Sequence, residues 1–280
     1  MMNILLPTDF SENSWNAISY AIDFFKNSKC NFYLVHISRM DTFMAGDSSY
    51  IPTADQIDDL YLKPSKVKLR AQIKKISENH TPNDNHKFYT LTDYGFLLEY
   101  LRKYVDEKHI DMIVMGTKGA SGLKEYIIGS NTADVITKVN CTTLVVPEDA
   151  KYSPLHEIAF PSDFNFTYCL ETLQPITNIL NTIKAKLRIL HIHKKDSVLN
   201  SDEQANKELL YDYFEEYKPS FHFLTNKKVE DAIQCFVESR NIDLIVMVAK
   251  NLNYFQSILF HSKVEKMTYH TEIPFLVLHE

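Results

Sequence analysis

The sequence contains an internal repeat, and this repeat limits the chain to folds that can be built twice. Residues 109–115 read HIDMIVM and residues 241–247 read NIDLIVM, so five of the seven positions are identical. Near the start of each half, LPTDF at residues 6–10 matches FPSDF at residues 160–164. The repeat predicts two homologous domains, at residues 1–150 and 151–280, joined near residues 148–154.

Short apolar runs alternate with segments of helical periodicity in each half. This alternation is typical of an α/β fold in which helices cover both faces of a parallel sheet. Ser11 is the predicted N-cap of the first helix, and a long helix should end near Asn79. Strands are predicted at residues 3–6, 31–37, 88–91, 112–115 and 143–146, and again at 187–192, 244–248 and 275–278.

Composition excludes several classes of protein. The 280 residues carry a formal net charge of −6, which argues against a nucleic-acid partner. No window approaches the roughly 18 uncharged apolar residues of a membrane span, and the first residues do not resemble a signal peptide. The four cysteines lie far apart without the spacing of a metal site. We therefore expect a cytoplasmic protein with neither disulfides nor zinc.

Glycine is concentrated at one place. All six glycines lie in the first half, and four of them fall within residues 116–129, directly after an apolar strand. Glycine lets backbone N–H groups approach an anion without a Cβ in the way. The stretch ends in Gly129, Ser130, Asn131 and Thr132 and opens a helix, whose N-terminus attracts negative charge. We therefore predict a phosphate site here, in preference to an ordinary surface loop.

The ends of three predicted strands should complete this site. In an open parallel sheet, ligands bind beyond the carboxyl ends of the strands, where the strand order reverses. The residues at these ends are Pro7, Thr8, Asp9, Ile37, Met115 and Gly116.

Several of the polar residues near these strand ends have a second interpretation. Asp9 could instead cap the first helix, a role that is compatible with a ligand contact. Lys118 could neutralise phosphate or be merely solvated. His36 and His191 occupy matching strand positions and are interpreted as core histidines. His193 shares a strand face with His191, but no third ligand is visible, so no metal site is predicted.

The spacing Gly116-x2-Gly119-x9-Gly129-Ser130 resembles the nucleotide-binding signature of the universal stress protein family. The opening PTDFSE, at residues 7–12, is similar to the first strand-to-helix turn of that family, and the resemblance covers both halves of the chain. It implies two tandem Rossmann-like domains, each a five-stranded parallel sheet of order 3-2-1-4-5. It also implies ATP at the switch point between strands one and four.

The family resemblance further implies a role for each residue of the site. It places Asp9 near the adenosine, the backbone of Ile37 at the adenine edge, and Gly116 and Gly119 against ribose and phosphate. Gly129, Ser130, Asn131 and Thr132 would hold the phosphate tail through amides and hydroxyls. Whether Mg²⁺ bridges the phosphates stays open, because no acidic pair is clearly placed for the ion.

The second half departs from the signature at its glycines. Val248, Asn251 and His261 stand where the first half has Gly116, Gly119 and Gly129. Side chains at these positions should crowd a phosphate and restrict φ. We therefore expect the second domain not to bind ATP in the same manner and to have a structural or regulatory role. The apolar last strands, residues 143–146 and 275–278, are the predicted seam between the domains.

Three functions fit these patterns. The first is an ATP-binding stress or signalling protein without catalysis, whose domains pair within the chain and which could form a homodimer. The second is an enzyme, either a slow ATP hydrolase or a nucleotidyl-transfer relative on the same architecture. The Walker A motif and the GxGxxG fingerprint are absent, however, and no nucleophile with a paired base stands out. The third is a nucleotide-free interaction module, against which the intact glycines of the first half argue.

Overall fold

The computed structural model describes residues 1–39, 53–117, 129–165, 169–193, 198–226, 228–249 and 273–279. Among these residues, those up to Cys141 form one compact unit and those from Thr142 onward form another. Four residues named in the sequence analysis, Lys118, Gly119, Asn251 and His261, lie outside the described ranges.

The first unit is a parallel sheet with helices between its strands. β1 pairs with β2 on one side and with β4 on the other, and β2 pairs with β3, so the strand order is β3-β2-β1-β4. The strands are β1 Met2–Pro7, β2 Cys30–Ser38, β3 His86–Tyr94 and β4 Met112–Gly116. The helices are α1 Glu12–Phe24, α2 Ala54–Ile57, α3 Lys63–Asn79, α4 Leu97–Glu107 and α5 Ser130–Lys138.

One turn of π-helix, Asp58–Leu62, joins α2 to α3. The three segments together form the long helix predicted to end near Asn79, and the capping box of Thr53 and Gln56 starts it. A π-helical turn inserts an extra residue into the helical register and rotates the side chains that follow. This segment contains Tyr61, whose position becomes important at the site below.

The second unit contains the last strand of the first sequence repeat and all strands of the second. Its strand order is β5-β10-β9-β6-β7-β8, in which β5 and β10 are antiparallel and the other pairs are parallel. The strands are β5 Thr143–Val146, β6 Glu157–Pro161, β7 Lys186–His193, β8 Ser220–Thr225, β9 Leu244–Val248 and β10 Phe275–Leu278. The helices are α6 Leu170–Thr182, α7 Ser201–Phe214 and α8 Val229–Arg240, with a 3₁₀ turn at Glu215–Tyr217.

The fold is therefore the predicted α/β arrangement of two Rossmann-like repeats. The second repeat has the full order 3-2-1-4-5, and the first repeat has its first four positions in one unit. The predicted seam strands are hydrogen-bonded partners, with Val145 opposite Phe275 and Leu144 opposite Leu276. This pairing groups β5 with the second unit. The boundary at residue 150 describes the sequence repeat and stays a prediction.

Both cores consist of central strands that are buried on two faces. Ile4, Leu5 and Leu6 of β1 are completely inaccessible, as are Ile158, Ala159 and Phe160 at the matching positions of β6. Continuous apolar runs of this kind fit parallel strands that helices cover on both sides. Because β1 and β6 are held rigidly at the centre of their sheets, the turns that follow them have fixed positions. Within the described residues, no helix is long and apolar enough to cross a bilayer.

Candidate functional site

A cavity of about 490 Å³ lies in the first unit, at the carboxyl ends of β1, β2 and β4. Ten of the twelve residues predicted for the site line this cavity, namely Pro7, Thr8, Asp9, Ile37, Met115, Gly116, Gly129, Ser130, Asn131 and Thr132. The remaining two, Lys118 and Gly119, lie outside the described residues. The strand order β2-β1-β4 explains this convergence, because β1 stands between two strands whose connections leave in opposite directions.

A network of side-chain hydrogen bonds fixes the turn between β1 and α1. Asp9 Oδ1 accepts from the backbone N–H of Ser11 at 3.1 Å and from its hydroxyl at 2.5 Å. Ser11 Oγ in turn accepts from the N–H of Ser14 at 3.2 Å, so Ser11 is the N-cap of α1, as predicted. The alternative in which Asp9 itself caps the helix is wrong, because Asp9 lies two residues before the cap and orients Ser11.

The hydroxyl of Thr8 connects the same turn to the helix. Thr8 Oγ1 accepts from the N–H of Phe10 at 3.0 Å and lies 3.0 Å from Ser14 Oγ. Because the Ser14 hydroxyl donates to the carbonyl of Ser11 at 2.9 Å, Thr8 supplies the proton of the contact with Ser14. The Thr8 side chain is buried, so these bonds form where water cannot replace them. The turn is thus organised before any ligand arrives.

His36 on β2 supports this turn from the side. His36 Nδ1 lies 2.7 Å from the carbonyl oxygen of Thr8, and the imidazole packs on the ring of Phe10 with centroids 4.4 Å apart. A neutral imidazole that donates from Nδ1 keeps Nε2 as an acceptor. Burial lowers the pKa of His36, an effect that the hydrogen bond to Thr8 partly offsets. The ring is therefore predominantly neutral at pH 7, and it lines the cavity.

The second repeat builds the same turn around His191 of β7. His191 Nδ1 lies 3.0 Å from the carbonyl oxygen of Ser162, and its ring stacks on Phe164 at 4.8 Å. Burial again lowers the pKa of His191. Both histidines have the structural role that their strand positions predicted, although His36 also faces the candidate site. The shared turn indicates that this substructure serves the fold in both repeats.

Acidification should destabilise the protein through these two histidines. A histidine whose pKa is lowered in the folded state contributes stability that is complete above its unfolded pKa of about 6.5 and is lost as the pH falls. We expect the free energy of unfolding, measured by urea titration, to decrease between pH 7.5 and pH 5. Asparagine can retain a donor at the position of Nδ1 but does not titrate. The double variant His36→Asn and His191→Asn should therefore show a flatter pH profile, and an unchanged profile would contradict this origin.

Gly116 ends β4 next to Asn13 of helix α1. A Cβ at this position would lie 2.5 Å from Asn13 Oδ1 and 3.1 Å from the backbone oxygen of Asn13. The Thr132 hydroxyl also donates to the carbonyl of Gly116 at 2.8 Å. Glycine is therefore required here by packing between a strand and a helix. The observed contact that excludes a side chain is with α1, and the predicted contact of Gly116 with ribose and phosphate stays a prediction.

The N-terminus of α5 forms one wall of the cavity. Gly129 is its N-cap, with φ −57° and ψ 148°, and its own N–H donates to the carbonyl of Thr117 at 2.5 Å. Because these dihedral angles are open to any residue, Gly129 is not needed for an unusual backbone conformation. The N–H groups of the first turn, at Ser130, Asn131 and Thr132, have no acceptor within the helix and carry its positive dipole end. This wall can therefore receive an anion.

The cavity also contains residues that sequence reasoning missed. Tyr61 comes from the π-helical turn, and its ring packs on Tyr94 with centroids 4.6 Å apart. Arg39 follows β2 and donates from Nη2 to Oδ1 of Asn131. Ser14, Val35, Ser38 and Leu97 complete the lining together with His36. The π-helical turn that places Tyr61 has no local sequence signal. The same holds for the bond between Arg39 and Asn131, which are 92 residues apart. Ser38, in contrast, could have been inferred as the end of its strand.

Comparison with known proteins shows which family the first part of the chain resembles. The sequence model described as "Universal stress protein family" matches residues 1–147. Universal stress protein MJ0577 of Methanocaldococcus jannaschii is 30% identical over 155 residues, covering 51% of this chain and 93% of the relative. Universal stress protein MJ0531 of the same organism is 27% identical over 150 residues, covering 53% of this chain and 83% of the relative.

A solved structure extends the similarity to the whole fold. The crystal structure of a universal stress protein from Archaeoglobus fulgidus DSM 4304 gives a TM-score of 0.70 at 18% identity. The similarity covers 98% of this chain and 97% of the other. At this identity the likeness concerns the fold alone. Because the family model matches more than half of the 280 residues, this chain belongs to the universal stress protein family.

Proposed function

We propose that the first unit binds ATP in the cavity at the ends of β1, β2 and β4, and that the chain is an ATP-binding stress or signalling protein. The observation that carries this proposal is the convergence of ten motif residues on one cavity of about 490 Å³. Pockets of roughly 300–1,000 Å³ suit ligands of nucleotide size. The cavity combines an apolar side, which includes Val35, Ile37 and Leu97, with the polar N-terminus of α5.

The polarity of the cavity supports one orientation of the nucleotide. The base would lie by the backbone of Ile37, with the adenosine near Asp9, where the turn is already fixed by the bonds to Ser11. The phosphates would lie at Ser130, Asn131 and Thr132, because amide groups of a first helical turn stabilise anions. Lys118 and Gly119, which precede α5 in the sequence, would contribute contacts to the phosphates and the ribose.

We also propose that the second unit does not bind ATP in this manner and has a structural or regulatory role. Val248, which ends β9 at the position of Gly116, is a buried side chain where the first repeat has none. The shared histidine and phenylalanine of the turn support the fold in both units, so their retention does not require a ligand. Asn251 and His261, at the positions of Gly119 and Gly129, are known to differ from the first repeat only from the sequence.

The decisive measurement is the number of nucleotides bound per chain. Native mass spectrometry of the purified protein, followed by titration calorimetry with ATP, should give one adenine nucleotide per chain. Repeating the titration with EDTA determines whether Mg²⁺ contributes. Two nucleotides per chain would refute the proposal for the second unit, and none would refute the site. Sustained ATP turnover, absent from a Gly129→Val control, would favour the hydrolase instead.

Substitution of the motif glycines should abolish binding without unfolding the protein. The φ and ψ of Gly129 are accessible to valine, so Gly129→Val should leave the circular dichroism spectrum intact. Its branched side chain would occupy the space through which a phosphate approaches the first amides of α5. We expect the same loss for Gly119→Val. Retention of ATP affinity in both variants would show that the nucleotide binds elsewhere.

A further inference from the structure

The contact between Arg39 and Asn131 joins two sides of the cavity. Arg39 directly follows β2, whereas Asn131 belongs to the first turn of α5, which the Thr132 hydroxyl fixes to the end of β4. β2 and β4 are not neighbours, because β1 lies between them. The guanidinium therefore reaches from one flank of β1 to the other, toward the part of the cavity where the helix N-terminus lies.

The charge distribution of the lining makes Arg39 distinctive. Among the described residues that form the cavity, Arg39 provides the one permanently positive side chain. His36 does not add a second charge near neutral pH, because burial lowers its pKa. Arg39 and the dipole of α5 thus place positive potential at the same end of the cavity. An adenosine group, which is neutral, gains little from that potential, whereas a phosphate chain gains much.

The observed partner of Arg39 is one that a phosphate can replace. Asn131 offers a neutral amide oxygen, and the contact uses Nη2, which leaves other guanidinium N–H groups for further acceptors. Hydrogen bonds between a guanidinium and phosphate oxygens are charge-assisted and often bidentate, so they are stronger than a bond to an amide. Because Arg39 is exposed, it can change partner without disturbing the core.

We propose that Arg39 binds the phosphate groups of the ligand. This contact makes the site favour nucleoside polyphosphates over nucleosides. Arg39 donates to Asn131, and a bound phosphate chain takes the place of Asn131 as the acceptor. This inference rests on the proposed function, since it concerns the same cavity. It adds a specificity residue that is not part of the glycine signature.

The test compares adenosine, AMP and ATP by titration calorimetry at one ionic strength. Arg39→Gln should weaken ATP binding about 10- to 100-fold while adenosine affinity stays within about twofold, because charge-assisted bonds are lost only with phosphate present. Arg39→Lys retains the charge but loses the planar fork, so it should recover part of the ATP affinity. Arg70→Gln on the exposed face of α3 removes one positive charge away from the cavity and should not change the ratio of the affinities.

The outcomes separate this inference from the function on which it rests. If the wild-type protein binds none of the three compounds, the proposed function fails. If the wild type binds ATP but Arg39→Gln leaves the ratio of ATP to adenosine affinity unchanged, the inference about Arg39 is overturned and the function stands. An equal change of that ratio in Arg70→Gln would also overturn it, because net charge alone would then explain the preference. Thermal melting of each variant verifies that the fold is retained.

Discussion

Gly116→Ala should lower the free energy of unfolding of the first unit by about 1–3 kcal/mol, the usual range for overpacking a well-packed core. The new Cβ would lie 2.5 Å from Asn13 Oδ1, 2.9 Å from its Cγ and 3.1 Å from its backbone oxygen. Side chains can move at modest cost, but the backbone of α1 is held by the bonds of Ser11 and Ser14. The strand end or the helix start must therefore shift.

The fluorescence of Trp15 gives a direct measurement, because it is the single tryptophan of the chain and belongs to α1. Urea titration followed at this residue should show an earlier midpoint for Gly116→Ala. In an Asn13→Ala background two of the three close contacts disappear, so the same substitution should cost less there, and the two effects should not add. Val248→Ala places alanine at the corresponding position of the second unit, which already carries a side chain. Equal stability of Gly116→Ala and the wild type would refute the packing explanation.

The sequence predicts several strand ends and the position of the cavity, but it does not predict the packing at Gly116. The strands at 143–146, 244–248 and 275–278 were predicted with their observed ends, because short apolar runs between turn residues have few alternatives. The concentration of glycine pointed to a strand end and a helix start, and both line the cavity. The requirement for glycine at position 116 could not be predicted, because it arises from contact with Asn13, which is about a hundred residues away in the chain.

Other features depend on packing that no local pattern records. β3 extends over His86–Tyr94, well beyond the predicted residues 88–91, because pairing with β2 continues through its polar ends. The π-helical turn that carries Tyr61 interrupts a stretch that reads as ordinary helix. Arg39 and Asn131 are brought together only by the strand order. The sequence thus predicts which strand ends form the site, and the tertiary structure determines which further side chains reach it.

The repeated turn permits a matched comparison of one residue in two environments. Phe164 is completely buried, lies 4.8 Å from the ring of His191, and has a backbone carbonyl that accepts from the Asn206 amide at 2.7 Å. Phe164→Ala should therefore cost about 3–5 kcal/mol, as expected for a large side chain removed from a core. Phe10, its counterpart, is only partly buried, so Phe10→Ala should cost less. Circular dichroism during urea titration follows the first variant, and Trp15 fluorescence follows the second.

Glycine substitutions at the same two positions separate packing from backbone strain. Phe10 has φ 67° and Phe164 has φ 58°, a left-handed conformation that glycine adopts without the steric cost of a Cβ. Glycine in place of alanine usually destabilises a regular element, but here the order should reverse, with Phe10→Gly more stable than Phe10→Ala and Phe164→Gly more stable than Phe164→Ala. A reversal at both positions would mean that the two repeats retain the strained turn as a common element. Greater stability of the alanine variants would show that packing alone accounts for both phenylalanines.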